Sequence, residues 1–180
     1  MTSHKLETEI LGREIEFEYA EHWVGYSILL MRVGIGWIFL QGGLQKIFDP
    51  SWTAAGYLTH LPAGNPFSFW SLMAGNPFID AMVAWGLTLI GLALILGVFI
   101  RFTAFWGSLM MLLFWASSLE GGLLSGLPVA YGWVVDQHIV YTVMLIALGE
   151  IGAGRLVGFD EWLEQEGVVE RNPWLKHLLG

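Results

Sequence analysis

Three apolar blocks, at residues 23–48, 79–119 and 135–154, alternate with short segments where charges, glycine and proline collect. A bilayer span takes about 20 apolar residues rising about 1.5 Å each. The middle block, 41 residues long, exceeds one span, and Arg101 after Gly97-Val98-Phe99-Ile100 divides it. The pattern predicts an all-α chain: an integral membrane four-helix bundle with spans at about 24–47, 78–100, 102–120 and 135–154.

The flanking segments carry their own signals. Residues 1–22 form an acidic segment in which Leu6, Ile10, Ile15 and Phe17 sit among glutamates. Residues 5–22 are expected as an amphipathic helix lying along the membrane, or as an extension of the first span. Over 50–75 a cap of short helices is expected. Asp49-Pro50 offers an N-cap and a proline at the first helical position, for a helix through Leu58 ended by Pro62. Ala63-Gly64-Asn65-Pro66-Phe67 then recurs as Ala74-Gly75-Asn76-Pro77-Phe78. In each copy glycine closes what precedes, asparagine caps, and proline opens the next helix. The aromatic residues here, Phe67, Phe69 and Trp70 among them, suit the membrane interface over the outer end of the bundle. The loop 121–134 is glycine-rich and holds Tyr131 and Trp133. Residues 155–180 read as an acidic amphipathic tail of two short helices, the second capped by Asn172-Pro173.

Composition narrows the class. Charged residues make up 13% of the chain, against roughly 25% in an ordinary soluble domain. The first 22 residues lack the apolar core of a cleavable signal, so the first span is expected to act as the targeting element. With no cysteine, disulfides, thiolate metal sites and CxxC redox chemistry are excluded. Lys5, Arg13, Arg101, Arg155, Arg171 and Lys176 fall on one side of the four spans and Lys46 on the other. The positive-inside rule then makes this a multi-pass cell-membrane protein with both termini cytoplasmic. The net charge of −8 sits mostly in the two tails, which hold 11 of the 16 acidic residues. Such tails do not bind nucleic acid. They read as solvated faces or as an acidic, halophile-like adaptation to a salty cytoplasm.

The polar residues inside the spans carry the candidate chemistry. On a wheel at about 100° per residue, Gly25, Arg32, Gly36, Phe39, Gly43 and Lys46 share one line of the first span. Small residues and charges on one line mark a packed interface. Gly34, Gln41 and Gln45 form a second, nearly opposite line, as expected for a helix central to a bundle or to an oligomer. A charge as deep as Arg32 is expensive in hydrocarbon unless paired. Glu150 lies at a comparable depth on the antiparallel fourth span, so a buried Arg32–Glu150 ion pair is expected. At the outer end Lys46 can meet Asp49, Glu120 or Asp136, with His138 one turn below.

These two polar layers have a structural and a functional reading. Both could be clamps that fix helix register. Alternatively, the outer layer is a head-group site for a small redox carrier, with Lys46, Asp136 and His138 handling protons and His60, Trp70 and Tyr141 helping to bind. A quinone fits, because its carbonyls need hydrogen-bond donors and its electrons move with protons. A lipid or another ligand is the remaining option. Bilayer haem usually needs facing histidines at one depth, and only His138 lies in or near a span, so no haem is expected. His60 with His138 offers at most two ligands to zinc, without a spacing motif.

The stretch Leu30-Met31-Arg32-Val33-Gly34, running to Gly42-Gly43-Leu44-Gln45-Lys46-Ile47, resembles the opening helix of the DoxX/DoxD family. Leu89-Ile90-Gly91-Leu92-Ala93-Leu94-Ile95-Leu96-Gly97 before Arg101 resembles its second helix and turn. Asp136-Gln137-His138-Ile139-Val140-Tyr141, Gly152-Ala153-Gly154-Arg155 and Gly158-Phe159-Asp160 resemble its fourth helix and exit. The likeness covers about residues 24–162, and Arg32, Lys46, Arg101, Asp136, His138 and Arg155 are its motif positions. It implies a four-helix membrane protein, in some relatives a subunit of thiosulfate:quinone oxidoreductase. The leading expectation is therefore a membrane subunit of a quinone-linked oxidoreductase, working with a partner subunit or as a homo-oligomer. The rival is a non-catalytic scaffold or accessory subunit of a membrane complex. Whether this chain is itself an enzyme stays open. A transporter is disfavoured by the small bundle and the lack of an inverted repeat.

Overall fold

Residues 3–62, 64–119 and 135–180 are described in the computed structural model. Glu120 and the expected loop 121–134 lie outside the described residues.

The chain begins with a β-hairpin, β1 (Ser3–Ile10) and β2 (Arg13–Ala20), which pair antiparallel. This corrects the expected amphipathic helix. Residues Leu11 and Gly12 both take positive φ, 54° and 74°, as a tight two-residue hairpin turn requires. Strand alternation puts Lys5, Glu7, Glu9, Glu14, Glu16 and Glu18 on one face and Leu6, Thr8, Ile15 and Tyr19 on the other.

The remaining elements are helical: α1 (Glu21–Ile47), α2 (Ala55–Leu58), α3 (Pro77–Leu96), α4 (Ile100–Ser118), α5 (Gln137–Ile151), α6 (Phe159–Gln165) and α7 (Val168–Arg171). Helices α1, α3 and α4 are long and apolar enough to cross a membrane. The expected fourth span is helical over the 15 residues of α5, apolar but shorter.

Local chemistry sets the helix ends. Asn76 accepts a hydrogen bond from the Phe78 amide at 3.0 Å, Pro77 occupies the first turn, and Gly97 closes α3 with φ of 69°. Asn65 accepts from the Phe67 amide at 2.8 Å in a turn, but the expected cap there is corrected: the 3-10 helix Ser68–Met73 starts beyond it, with Phe67 at its N-cap position and no side-chain cap. The Asn65 amide also donates to the carbonyls of Ala116, Ser117 and Leu119, each at 3.0 Å, and so closes the end of α4. The short helix expected directly after Pro50 starts later, at Ala55. Asp49 spends its carboxylate on the Ser51 amide and hydroxyl, and Asp80 receives the Ala54 amide at 2.8 Å.

Small residues let the helices approach. Gly36 of α1 meets Gly91, Leu94 and Ile95 of α3, and Gly43 meets Ala84 and Thr88. A Cβ at Gly43 or Gly91 would overlap the facing helix. These pairings make α1 and α3 antiparallel. Helix α5 packs antiparallel on α4, with Gly149 against Ala104 and Gly107 against Leu145. Ile35, Phe39, Leu87, Leu94, Ile100, Leu145 and Leu148 form the core between these pairs. Helices α3 and α4 touch each other far less than each touches its other neighbour. Their cap ends, near α2, leave a gap.

Candidate functional site

Two polar centres lie at opposite ends of the helices. At the tail end, Arg32 is 1% exposed. Its guanidinium donates to the Ala153 carbonyl, to the Leu156 carbonyl at 3.0 Å and to the Val157 carbonyl at 3.2 Å. Gly97 and Gly158 flank it closely. Glu150 is exposed and lies on the outer face of α5. The expected Arg32–Glu150 pair is thus replaced by a ring of backbone carbonyls. The chain turns after α5 at Gly152, with φ 71°, into a 3-10 turn at Ala153–Arg155, and the carbonyls of this turn and the residues after it point at Arg32 of α1.

The anion of this centre is Asp160, fully buried and acting on Arg32 through space. Its carboxylate accepts from the Phe99 amide at 2.7 Å and from the Ile100 and Gly180 amides at 3.0 Å. Phe99 has a positive φ of 51°, and Asp160 supplies the cap that α4 lacks from its own sequence. Arg155 instead reaches Glu164 through two hydrogen bonds, at 3.0 and 2.7 Å. That pairing raises the Arg155 pKa and holds the Glu164 carboxyl below the usual range. Arg101 donates to the Lys176 carbonyl at 3.3 Å. These contacts hold one another up: Arg32 needs the 153–157 turn, and the turn positions Asp160. This centre is built as a clamp.

At the cap end lies an apolar cavity of about 1160 Å³. Lys46 at the end of α1 and His138 in the first turn of α5 both line it, with Trp52 and Trp70 from the capping segment. Lys46 donates to the Gly42 carbonyl at 3.0 Å and stands 5.4 Å from the centre of the Trp52 ring. This cation–π contact holds the ammonium in a half-buried position. Asp136 caps α5, accepting from the His138 and Ile139 amides at 2.9 and 3.1 Å. Its other oxygen lies 2.6 Å from His138 Nδ1. Backbone and imidazole are fixed by one carboxylate, and the edge of the ring meets Phe114.

Of the expected binding residues, Lys46, His138 and Trp70 converge on this cavity. Asp136 acts on it through His138. Tyr141 does not line it: its ring packs on Phe39 with centroids 6.4 Å apart. His60 is exposed outside it, contacting Gly56 and Thr59. The expected partners of Lys46 are otherwise engaged, Asp49 with Ser51 and Asp136 with His138, while Glu120 lies outside the described residues. Trp70 is buried, and its Nε1 has no hydrogen-bond partner among the described residues. Residues not singled out from the sequence complete the polar end: Thr53, Tyr57, Ser117 and Ser118. Ser117 and Tyr57 lie 3.4 Å apart, hydroxyl to hydroxyl. Nothing in their local sequence distinguishes them from ordinary helix-end residues.

The arrangement offers an amine and a carboxylate-held imidazole at one end of a large apolar chamber. It can bind a ligand with polar oxygens on an apolar body, and move a proton at His138. A family model described as DoxX matches residues 27–120, from the body of α1 through the capping segment to just past the end of α4. Arg32, Lys46, His60, Trp70 and Arg101 fall within the match; Asp136, His138, Tyr141 and Arg155 follow it. No curated protein and no solved structure matches the chain.

Proposed function

The chain belongs to the DoxX family, and on that footing we propose that it is the membrane-embedded subunit of a quinone-linked oxidoreductase, of the thiosulfate:quinone type or close to it. In this reading α5 crosses the bilayer with α1, α3 and α4, and both termini lie in the cytoplasm. Electrons arrive from a partner chain.

One observation carries the reading: Lys46 and the Asp136–His138 pair, far apart in sequence, meet at one apolar chamber. The chamber suits a quinone, since its apolar walls match the ring and its polar end offers donors to the ring oxygens. Lys46 donates a hydrogen bond to a ring oxygen and favours the charge that develops there. A carboxylate at Nδ1 holds the proton on that nitrogen and leaves Nε2 to face the ligand. His138 then accepts a proton at Nε2 from a quinol hydroxyl, or returns it to a quinone oxygen, while Asp136 stabilises the imidazolium.

Replacing His138 by Ala should cut quinone turnover about a hundredfold or more. The melting temperature in detergent should stay close to that of the parent. Unchanged turnover would remove His138 from the chemistry. The accessory-subunit reading draws support from the β1–β2 hairpin. A two-stranded ribbon is marginal alone, and Leu6 and Ile15 stand exposed on it, as a docking element would. Full activity of the His138→Ala protein would favour that reading.

A further inference from the structure

The cavity is larger than a quinone ring needs, and its polarity is graded. Its polar lining residues, Lys46, Thr53, Tyr57, Ser117, Ser118 and His138, all cluster at the cap end. Away from that end the walls are apolar side chains on one stripe of α3 and one stripe of α4. Met82, Val83, Leu89 and Ile90 recur at helical spacing on the first, and Trp106, Leu109, Met110 and Leu113 on the second. From Ile79 to Ile90 this seam runs about 16 Å along α3.

The seam also opens sideways. Met82, Leu89, Trp106, Leu109 and Leu113 line the cavity and are at the same time 38–59% exposed. They form the edges of a lateral mouth between helices long and apolar enough to cross a membrane. A mouth bordered by such side chains faces acyl chains, not water. Gly86 lies on the α3 wall, and a Cβ there would come within 2.6 Å of the Met110 terminal methyl.

We propose that the seam between α3 and α4 is a tail-binding channel open to the bilayer. Its occupant is a long-chain isoprenoid quinone, with its ring at Lys46 and His138 and its tail passing Gly86 out into the lipid. The inference rests on the quinone reading above and adds the ligand class and its route. Because the tail moves from lipid to an equally apolar seam, little hydrophobic free energy drives it there. The channel instead decides whether a tailed ring can seat at all.

The test uses the full-length protein and two probes, a benzoquinone carrying a long isoprenoid chain and the same ring without it. Binding is read by quenching of tryptophan fluorescence, since Trp52, Trp70 and Trp106 line the cavity. In Gly86→Leu the tailed quinone should bind about tenfold or more weakly, the effect of filling an apolar pocket by a few methylenes. The tail-less ring should bind as it does to the parent. Leu109→Trp, on the facing wall and partly exposed, should repeat the result without crowding the core. Equal weakening of both probes, or of neither, in both variants would overturn the channel while leaving the quinone site standing. Failure of the parent to bind either probe would overturn the quinone reading and the channel with it. A phospholipid held in the seam that the tailed quinone does not displace would overturn the channel alone.

Discussion

Arg32 shows what a buried cation needs. Its fork reaches three carbonyls of one turn, a geometry that a lysine's single ammonium cannot copy. Arg32→Ala takes a donor from these carbonyls and the neighbouring cation from buried Asp160, at about 1–3 kcal/mol. We expect a clear fall in the midpoint of unfolding in detergent, only partly restored by Arg32→Lys. Glu150→Gln should leave that midpoint unchanged, because Glu150 is exposed on the outer face of α5. Asp160 accepts three amide N–H groups. Asp160→Asn should therefore speed hydrogen exchange at Phe99 and Ile100 and loosen α6 from the tail end. Glu164 works at the surface. Arg155 keeps its carboxyl ionised below the usual range, so the pair stabilises docking of α6 above the ordinary glutamate pKa. That contribution disappears as pH falls through the depressed value. The pair is partly exposed, so the loss amounts to about 0.5 kcal/mol. Protection of the α6 amides, corrected for the intrinsic pH dependence of exchange, should fall on acidification in the parent and stay flat in Glu164→Gln.

At the scale of elements, some of the architecture was legible and some was not. The doubled Ala-Gly-Asn-Pro-Phe motif announced two helix caps; Asn76 caps α3 with Pro77 in its first turn, while Asn65 closes a turn ahead of a 3-10 helix that starts at Ser68. Of the line read from the wheel, Arg32, Gly36, Phe39 and Gly43 are buried and Gly25 and Lys46 half-buried; Gly36 and Gly43 meet α3, while Arg32 meets the turn after α5 and Phe39 meets Tyr141. Gly91→Leu should push α1 off α3, since its side chain would enter the backbone of Leu40. A lower unfolding midpoint and faster proteolysis would report it. The hairpin departs from the expected helix because Glu14-Ile15-Glu16-Phe17-Glu18-Tyr19 alternates strictly with period two, a strand pattern and not a helical one. Leu11-Gly12 also lacks the Asn-Gly signature of such turns. The Arg32–Glu150 pairing failed for another reason. Matching depths on two helices ignores the short turn that follows α5, whose Ala153, Leu156 and Val157 carbonyls take the guanidinium.

For the whole molecule, the residues with distinctive chemistry were readable and the space between them was not. Lys46, Trp70 and His138 stood out by type and position, and they line one cavity. Tyr141 and His60 shared the expected depth but turn away, because helical phase and a solvent-facing loop decide where a side chain goes. The seam of α3 and α4 left no trace in the pattern. Where lipid and protein are both apolar, a helix is hydrophobic all round and its faces cannot be told apart. The central claim is that the chamber at Lys46 and His138 holds a quinone. The most direct measurement is mass spectrometry of the organic extract of purified protein after reconstitution in quinone-bearing vesicles and re-isolation. The expected result is quinone recovered near one per chain from the parent and strongly reduced in Lys46→Ala. Parent protein that returns from those vesicles with lipid alone would contradict it.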